Sequence, residues 1–163
     1  MRRDKMFTFT KENRTFQRNC TLFTDGACEP NPGAGGWAFI LRDNETGKEL
    51  AESGFVPETT NNRMEMFPVI MGLRKLKYPC NVTLVSDSKY VINGISCWMN
   101  KWKMNGWNKK GGVKNLDLWQ QVDELVLLHN VTCQWVKGHQ GHKENEVCDS
   151  MATQQIILNS SLK

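Results

Sequence analysis

The run "VTLVSD", Val82 to Asp87, limits the architecture more than any other stretch. It is short, β-branched and close to continuously apolar, the pattern of a strand buried on both faces in the middle of a sheet. Such a strand needs a covering layer on each side, so the helical patterns around it must pack on a sheet. "TTNNRMEMFPVIMGLRKLKY" sets Met64, Phe67, Ile70, Met71 and Leu73 at helical spacing, with Asn61 or Asn62 as N-cap. "SKYVINGISCWM" reads as a helix capped near Ser86 to Ser88. "KNLDLWQQVDELVLLH" reads as another, with Leu116, Trp119, Val122, Leu125 and Val126 on one face. A last helix is expected from about Asn145 toward Leu158.

The remaining strands have a period of two. "NCTLFTD", "GGWAFILRD" and "KELAESGFV" follow one another with the turn "NETG" between the second and third, which suggests an antiparallel meander. "VTCQWV" is the fifth strand. The order β-β-β-α-β-α-α-β-α predicts an α/β fold, a five-stranded mixed sheet flanked by helices, in one domain over 19–163. Residues 1–18 read as a basic tail, disordered or an added binding segment, although "MFTFT" has some capacity to pair.

Charge is separated along the chain. Of the net charge of +4, the whole falls in residues 1–18, and 19–163 sum to zero. Yet between Asp87 and Asp117 there are six lysines and no acid, so a basic arm must be offset by acids elsewhere. That separation is the footprint expected of a nucleic-acid binder. No apolar run reaches the ~18 residues of a membrane span. The start has no apolar signal core, which makes the cytoplasm the expected location. The six cysteines are scattered without C-x-x-C spacing and read as reduced, not as a zinc site or a disulfide frame.

Four carboxylates stand at element ends. Asp25 closes the first strand and Asp87 the fourth, Glu65 lies in the first turn of the helix after the third strand, and Asp149 in the first turns of the last helix, after the fifth strand. If strands one and four are neighbours, Asp25 and Asp87 share one rim and the helices add the other two acids. Four clustered carboxylates repel, and two divalent cations ~3.5–4 Å apart would neutralise them and assist phosphodiester cleavage. Mg²⁺ suits such hard oxygen ligands. Taken singly, each acid has an ordinary role as turn former, N-cap or helix-start charge, and spacing alone does not bring them together.

The motifs around the acids narrow the choice. "TDGACEPNPGAGGW", "TTNNRMEM", "VSDSKYV", "NLDLWQ" and "VKGHQGHKENEVCDSMA", in this order, resemble bacterial-type ribonuclease H, type 1, over roughly residues 19–157. The resemblance implies a sheet of three antiparallel and then two parallel strands, with a basic protrusion around 98–114. It implies an endonuclease that cuts the RNA strand of RNA/DNA hybrids, leaving 5′-phosphate and 3′-hydroxyl ends. It also implies Asp25, Glu65, Asp87 and Asp149 as ligands of two Mg²⁺ ions, with Mn²⁺ as a substitute and Asp25 bridging both. His139 would then assist proton movement or product release. The expected form is a monomer without an obligate protein partner.

Substrate contacts follow from the same resemblance. Cys28, Asn31, Asn61, Asn62 and Lys89 would line the site, where the RNA 2′-hydroxyl is the handle for discrimination. In the arm, Trp98 and Trp102 are four residues apart, and Lys101, Lys103, Lys109 and Lys110 interleave with them and Trp107. Aromatics among lysines suit a backbone groove read by shape, and also serve as an apolar anchor for the arm. "GAGG" lacks a following G-K-[ST], so it is no P-loop, and it reads as tight turns into strand two. Pro68, three residues after Glu65, predicts a kink able to shift that acid. Pro30 replaces a usual glycine, which weakens the inference for Cys28 and Asn31, and Lys89 replaces a usual glutamine. The rival readings are a hybrid-binding module without catalysis, and another nuclease of this fold such as a junction resolvase or a reverse-transcriptase domain.

Overall fold

The computed structural model describes Phe16 and residues 18–160. The basic tail therefore lies outside the described residues except for Phe16 and Arg18, and Arg18 already begins the first strand. The strands are β1 (Arg18–Cys28), β2 (Gly33–Asp43), β3 (Glu49–Thr59), β4 (Cys80–Ser86) and β5 (Asn130–Trp135). The helices are α1 (Asn61–Leu73), α2 (Lys89–Asn93), α3 (Met99–Met104), α4 (Leu116–Leu128) and α5 (Lys143–Ser160), with a π-helical turn, Gly94–Trp98, joining α2 to α3.

The sheet runs β3-β2-β1-β4-β5, antiparallel across the first three strands and parallel from β1 to β4 and β4 to β5. This is the predicted mixed sheet. Strand alternation divides its side chains between two cores. Leu22, Phe39 and Leu84 meet α1, Trp119 and Val122 on one face. Phe23, Ala38, Ile40 and Val85 meet Cys148 and Ala152 of α5 on the other. Each such side chain contributes about 1.5–3 kcal/mol by leaving water. Leu84 and Val85 go to opposite cores, so the apolar run of β4 is buried on both faces as expected.

Three local expectations need correction. The N-cap of α1 is Thr60, whose hydroxyl accepts from Arg63 N–H, and not Asn61 or Asn62. "GAGG" lies within β2 and not in a turn before it. The helix after β4 continues past Met99 to Met104 through the π turn. The helix α1 includes Pro68 within its span, Asn61–Leu73. The carbonyl that Pro68 leaves without an intrahelical donor belongs to Met64, four residues earlier. It abuts Gly26 of β1, where a Cβ would sit 2.2 Å from Met64 O. Only glycine allows α1 to lie this close to the strand beside Asp25.

Candidate active site

Asp25 does not end β1. The strand continues to Cys28 against β2, but its pairing with β4 stops at Phe23 opposite Val85. Two residues further along both chains, Asp25 and Asp87 therefore stand side by side at a rim that exists only on the β4 side. Glu65 comes to them from the second turn of α1, because Thr60 caps one residue before Asn61. Arg63 fixes that end of the helix through a bidentate pair with Asp117 at the start of α4 (3.0 and 2.8 Å).

Asp25, Glu65 and Asp87 each offer an oxygen within 4.8 Å of the others. Asp25 and Glu65 are buried, at 3 % and 7 % exposure. Burial, and then the neighbouring Asp87 charge, pushes the Asp25 carboxyl up to about 8. Burial followed by the Asp25 and Asp87 charges raises Glu65, and burial raises Asp87. Glu65 Oε1 and Asp87 Oδ1 are buried with no hydrogen-bond partner among the described residues. Hard carboxylate oxygens converging on one point, with buried oxygens of Glu65 and Asp87 left unpaired, suit a divalent hard cation, so the residues fit Mg²⁺ or Mn²⁺.

Asp149, in the second turn of α5, stands just outside this tight group, yet close enough that its charge raises both Asp25 and Asp87. The exposed His139 faces it, with Nδ1 3.9 Å from Asp149 Oδ2. His139 itself adopts a left-handed backbone, φ 57°, in the loop between β5 and α5. That loop presses on Asp87, since a Cβ at Gly138 would meet Asp87 Oδ2 at 2.6 Å. At the end of β5, the Trp135 indole N–H donates to the Asp87 backbone carbonyl (3.0 Å). The Lys89 ammonium stands 4.8 Å from the centre of the same indole ring. Trp135, Gly138 and the buried Asn145 were not singled out in sequence. They lie in or beside "VKGHQGHKENEVCDSMA", and only the fold shows that Trp135 and Gly138 pack on Asp87.

The other predicted contact residues divide into groups. Asn31 Oδ1 accepts from Asn61 N–H (3.0 Å), tying the β1–β2 loop to α1. With Thr60, Asn62, Lys114 and Asn115 they line a groove of about 400 Å³ beside the acids. Cys28 is turned inward, its Sγ 3.3–3.6 Å from the carbonyl oxygens of Pro30, Gly33 and Thr59, to one of which its single S–H donates. Trp98, Trp102, Trp107 and Trp119 form a chain of ring contacts at 5.7–6.4 Å that fastens the arm to the body. Trp98, Trp102, Tyr90, Lys109 and Lys114 line a second cavity of about 360 Å³. Lys101, Lys109 and Lys110 are exposed. Lys103 instead pairs with Asp123 of α4 at 2.9 Å and points to the body. Thr60, Lys114 and Asn115 were missed because cap and loop residues carry no periodic signal.

Comparison with known proteins places this arrangement. The family model for RNase H matches residues 17–157. A ribonuclease H of Rhodopirellula baltica is 56 % identical over 136 residues, covering 80 % of this chain and 86 % of that protein. One of Francisella philomiragia is 49 % identical over 153 residues, covering 93 % and 96 %. The crystal structure of LC9-RNase H1, a type 1 RNase H with the type 2 active-site motif, superposes with a TM-score of 0.76 at 28 % identity, covering 87 % of this chain and 74 % of that one.

Proposed function

The chain belongs to the ribonuclease H family, and on that footing we propose that it hydrolyses the RNA strand of RNA/DNA hybrids at the Asp25–Glu65–Asp87–Asp149 cluster, leaving 5′-phosphate and 3′-hydroxyl ends. The observation that carries the reading is the convergence of Asp25, Glu65 and Asp87, each offering a carboxylate oxygen within 4.8 Å of the others, with Asp25 and Glu65 buried. Asp25, Glu65 and Asp87 would hold one divalent ion, and Asp25 with Asp149 a second. The pair would supply the positive charge that activates the attacking water and stabilises the leaving oxygen. His139, exposed and facing Asp149, would carry a proton between solvent and the site.

Substrate binding would divide between the two sides of the acids. The groove of Asn31, Thr60, Asn61, Asn62, Lys114 and Asn115 offers amide and hydroxyl groups for sugars and phosphates. Lys89, held over Trp135, adds a cation on the β5 side. Lys101, Lys109 and Lys110 on the arm would follow the DNA backbone, which favours recognition by duplex shape over sequence. All four acids come from one chain, which supports a monomer as the working unit, and the cytoplasm is the compartment we infer.

A labelled RNA/DNA hybrid tests this reading. The protein should cut only the RNA strand in Mg²⁺, stop in EDTA, and leave single-stranded RNA, duplex RNA and duplex DNA intact. Asp25→Asn should abolish cutting. Tight hybrid binding without cutting in Mg²⁺ or Mn²⁺ would instead establish a binding module.

A further inference from the structure

We propose that Trp135 is a positioning residue of this site, its indole N–H fixing the backbone from which Asp87 presents its carboxylate and its ring face holding the Lys89 ammonium ready for the substrate; this rests on the reading above. Asp87 is the first residue beyond β4, so the strand ladder does not hold it. That ladder closes with Ser86 opposite Trp135 and with the Val136 N–H donating to the Ser86 carbonyl (3.0 Å). The next carbonyl along the chain, that of Asp87, accepts from the Trp135 indole (3.0 Å). A side chain of β5 thus extends the pairing of the two strands by one residue, onto the residue that bears the acid. Just after Asp87, the Ser88 N–H donates to Ser86 Oγ (3.0 Å), and the Ser88 hydroxyl accepts from Val91 N–H (3.1 Å) and caps α2. The backbone around Asp87 is therefore tied locally by two serines and from another element by the indole.

The indole serves both tasks because they use different parts of it. Its N–H lies in the ring plane, whereas a cation sits over the ring face. Lys89, the first residue of α2, holds its ammonium 4.8 Å from the ring centre. Both side chains lie at the surface, Trp135 at 42 % exposure, so this contact borders the acids and does not belong to the core. An exposed lysine otherwise samples many rotamers and loses that freedom on binding a phosphate. Held over the ring, Lys89 has given up part of it beforehand. Because Asp87 and Lys89 are two residues apart, one residue of β5 sets an acid of the cluster and a substrate cation together. Phenylalanine keeps a ring face without the donor and leucine keeps neither, so substitution separates the two contacts.

Trp135→Phe, Trp135→Leu and Lys89→Ala make the test. Mg²⁺ binding to the free protein is read by calorimetry, hybrid cleavage as kcat and KM, and stability as melting in EDTA. Loss of a partner that orients a metal ligand typically lowers metal affinity or activity about 10–100-fold. Trp135→Phe should weaken Mg²⁺ binding and kcat in that range, with KM for the hybrid close to the parent. Trp135→Leu should lose the same and also raise KM about 2–5-fold, the share of an exposed cation–ring contact. Lys89→Ala should raise KM at least as far, with Mg²⁺ binding no weaker than in the parent. In the parent itself, the Trp135 indole N–H resonance should shift during a Mg²⁺ titration, a readout that needs no variant to fold. Unchanged Mg²⁺ binding in Trp135→Phe, or an indole resonance that stays still, would overturn the proposal. So would a loss of kcat that only follows a lower EDTA melting temperature. Equal KM in the Phe and Leu variants would overturn the part given to Lys89. Should the parent protein bind Mg²⁺ but leave the hybrid uncut, the hydrolase reading fails while calorimetry and the indole resonance still decide the role of Trp135.

Discussion

At the scale of single residues, the site is a set of groups whose ordinary satisfaction has been withheld. Glu65 is the extreme case, buried with one oxygen unpaired and with its carboxyl raised by burial and by the Asp25 and Asp87 charges. A metal-free chain must either bind a proton there or hold an unfavourable charge. Glu65→Gln removes that choice while keeping the shape. It should raise the stability of the metal-free protein at pH 7 by roughly 1–3 kcal/mol, since an uncompensated buried charge destabilises by several. The same change should lower hybrid cleavage by at least ~100-fold. Denaturant midpoints in EDTA and single-turnover rates in Mg²⁺ measure the two effects, and a loss of both would mean that Glu65 serves packing. Single residues are also where the sequence was least complete. The four acids were visible because each sits in its own motif. Trp135 and Gly138 act through contacts with Asp87 made by a segment about fifty residues away in the chain.

At the scale of elements, most of the fold was legible because patterning and topology agree. The apolar run of β4 required two covering layers, and the period of two in β1 to β3 gave the meander. What escaped were departures set by tertiary contact. Pro68 signalled a kink; α1 spans it, and the Met64 carbonyl it leaves without an intrahelical donor lies against Gly26. Gly26→Ala tests this packing. A Cβ at 2.2 Å from a backbone carbonyl forces α1 and β1 apart, and overpacking of this kind typically costs about 1–3 kcal/mol. Because Asp25 and Glu65 flank the contact, kcat should fall further than stability alone explains. An Ala variant with parental melting and rate would show that the two elements separate freely. The arm escaped in a different way. Interleaved lysines suggested a uniform basic surface, yet Lys103 is drawn to Asp123 while Lys101, Lys109 and Lys110 remain outward. Replacing Lys109 and Lys110 by Ala should weaken hybrid binding and reduce the salt slope of log Kd by roughly 1–2, about one per lost phosphate contact. Lys103→Ala should instead lower stability and leave that slope unchanged.

At the scale of the whole molecule, the acid cluster links folding, pH and metal. The Asp25 carboxyl lies at about 8 in the fold against an ordinary value near 3.8, and Glu65 and Asp87 are displaced in the same direction. The folded state therefore holds protons that the unfolded chain has already released. Their stabilising effect is fully present below pH 4 and is lost as pH rises through about 8, the opposite of an ordinary paired carboxylate. Across that window the metal-free chain should lose several kcal/mol of stability from this cluster. The salt-bridged Asp117 and Glu144, lowered by Arg63 and Arg42, act in the reverse sense, but only below about pH 4.5. A divalent ion replaces the protons, so it should bind weakly at pH 5 and strongly at pH 9, and its gain in melting temperature should grow over the same interval. Melting curves from pH 5 to 9 in EDTA and in 10 mM Mg²⁺, a concentration of the order used to saturate such sites, would show two lines diverging with pH. Parallel lines would mean that the cluster is ionised without a metal, and that the convergence of Asp25, Glu65 and Asp87 is not what binds one. Asp25→Asn supplies the internal check, because removing the most displaced carboxyl should flatten the EDTA line and much of the Mg²⁺ effect together.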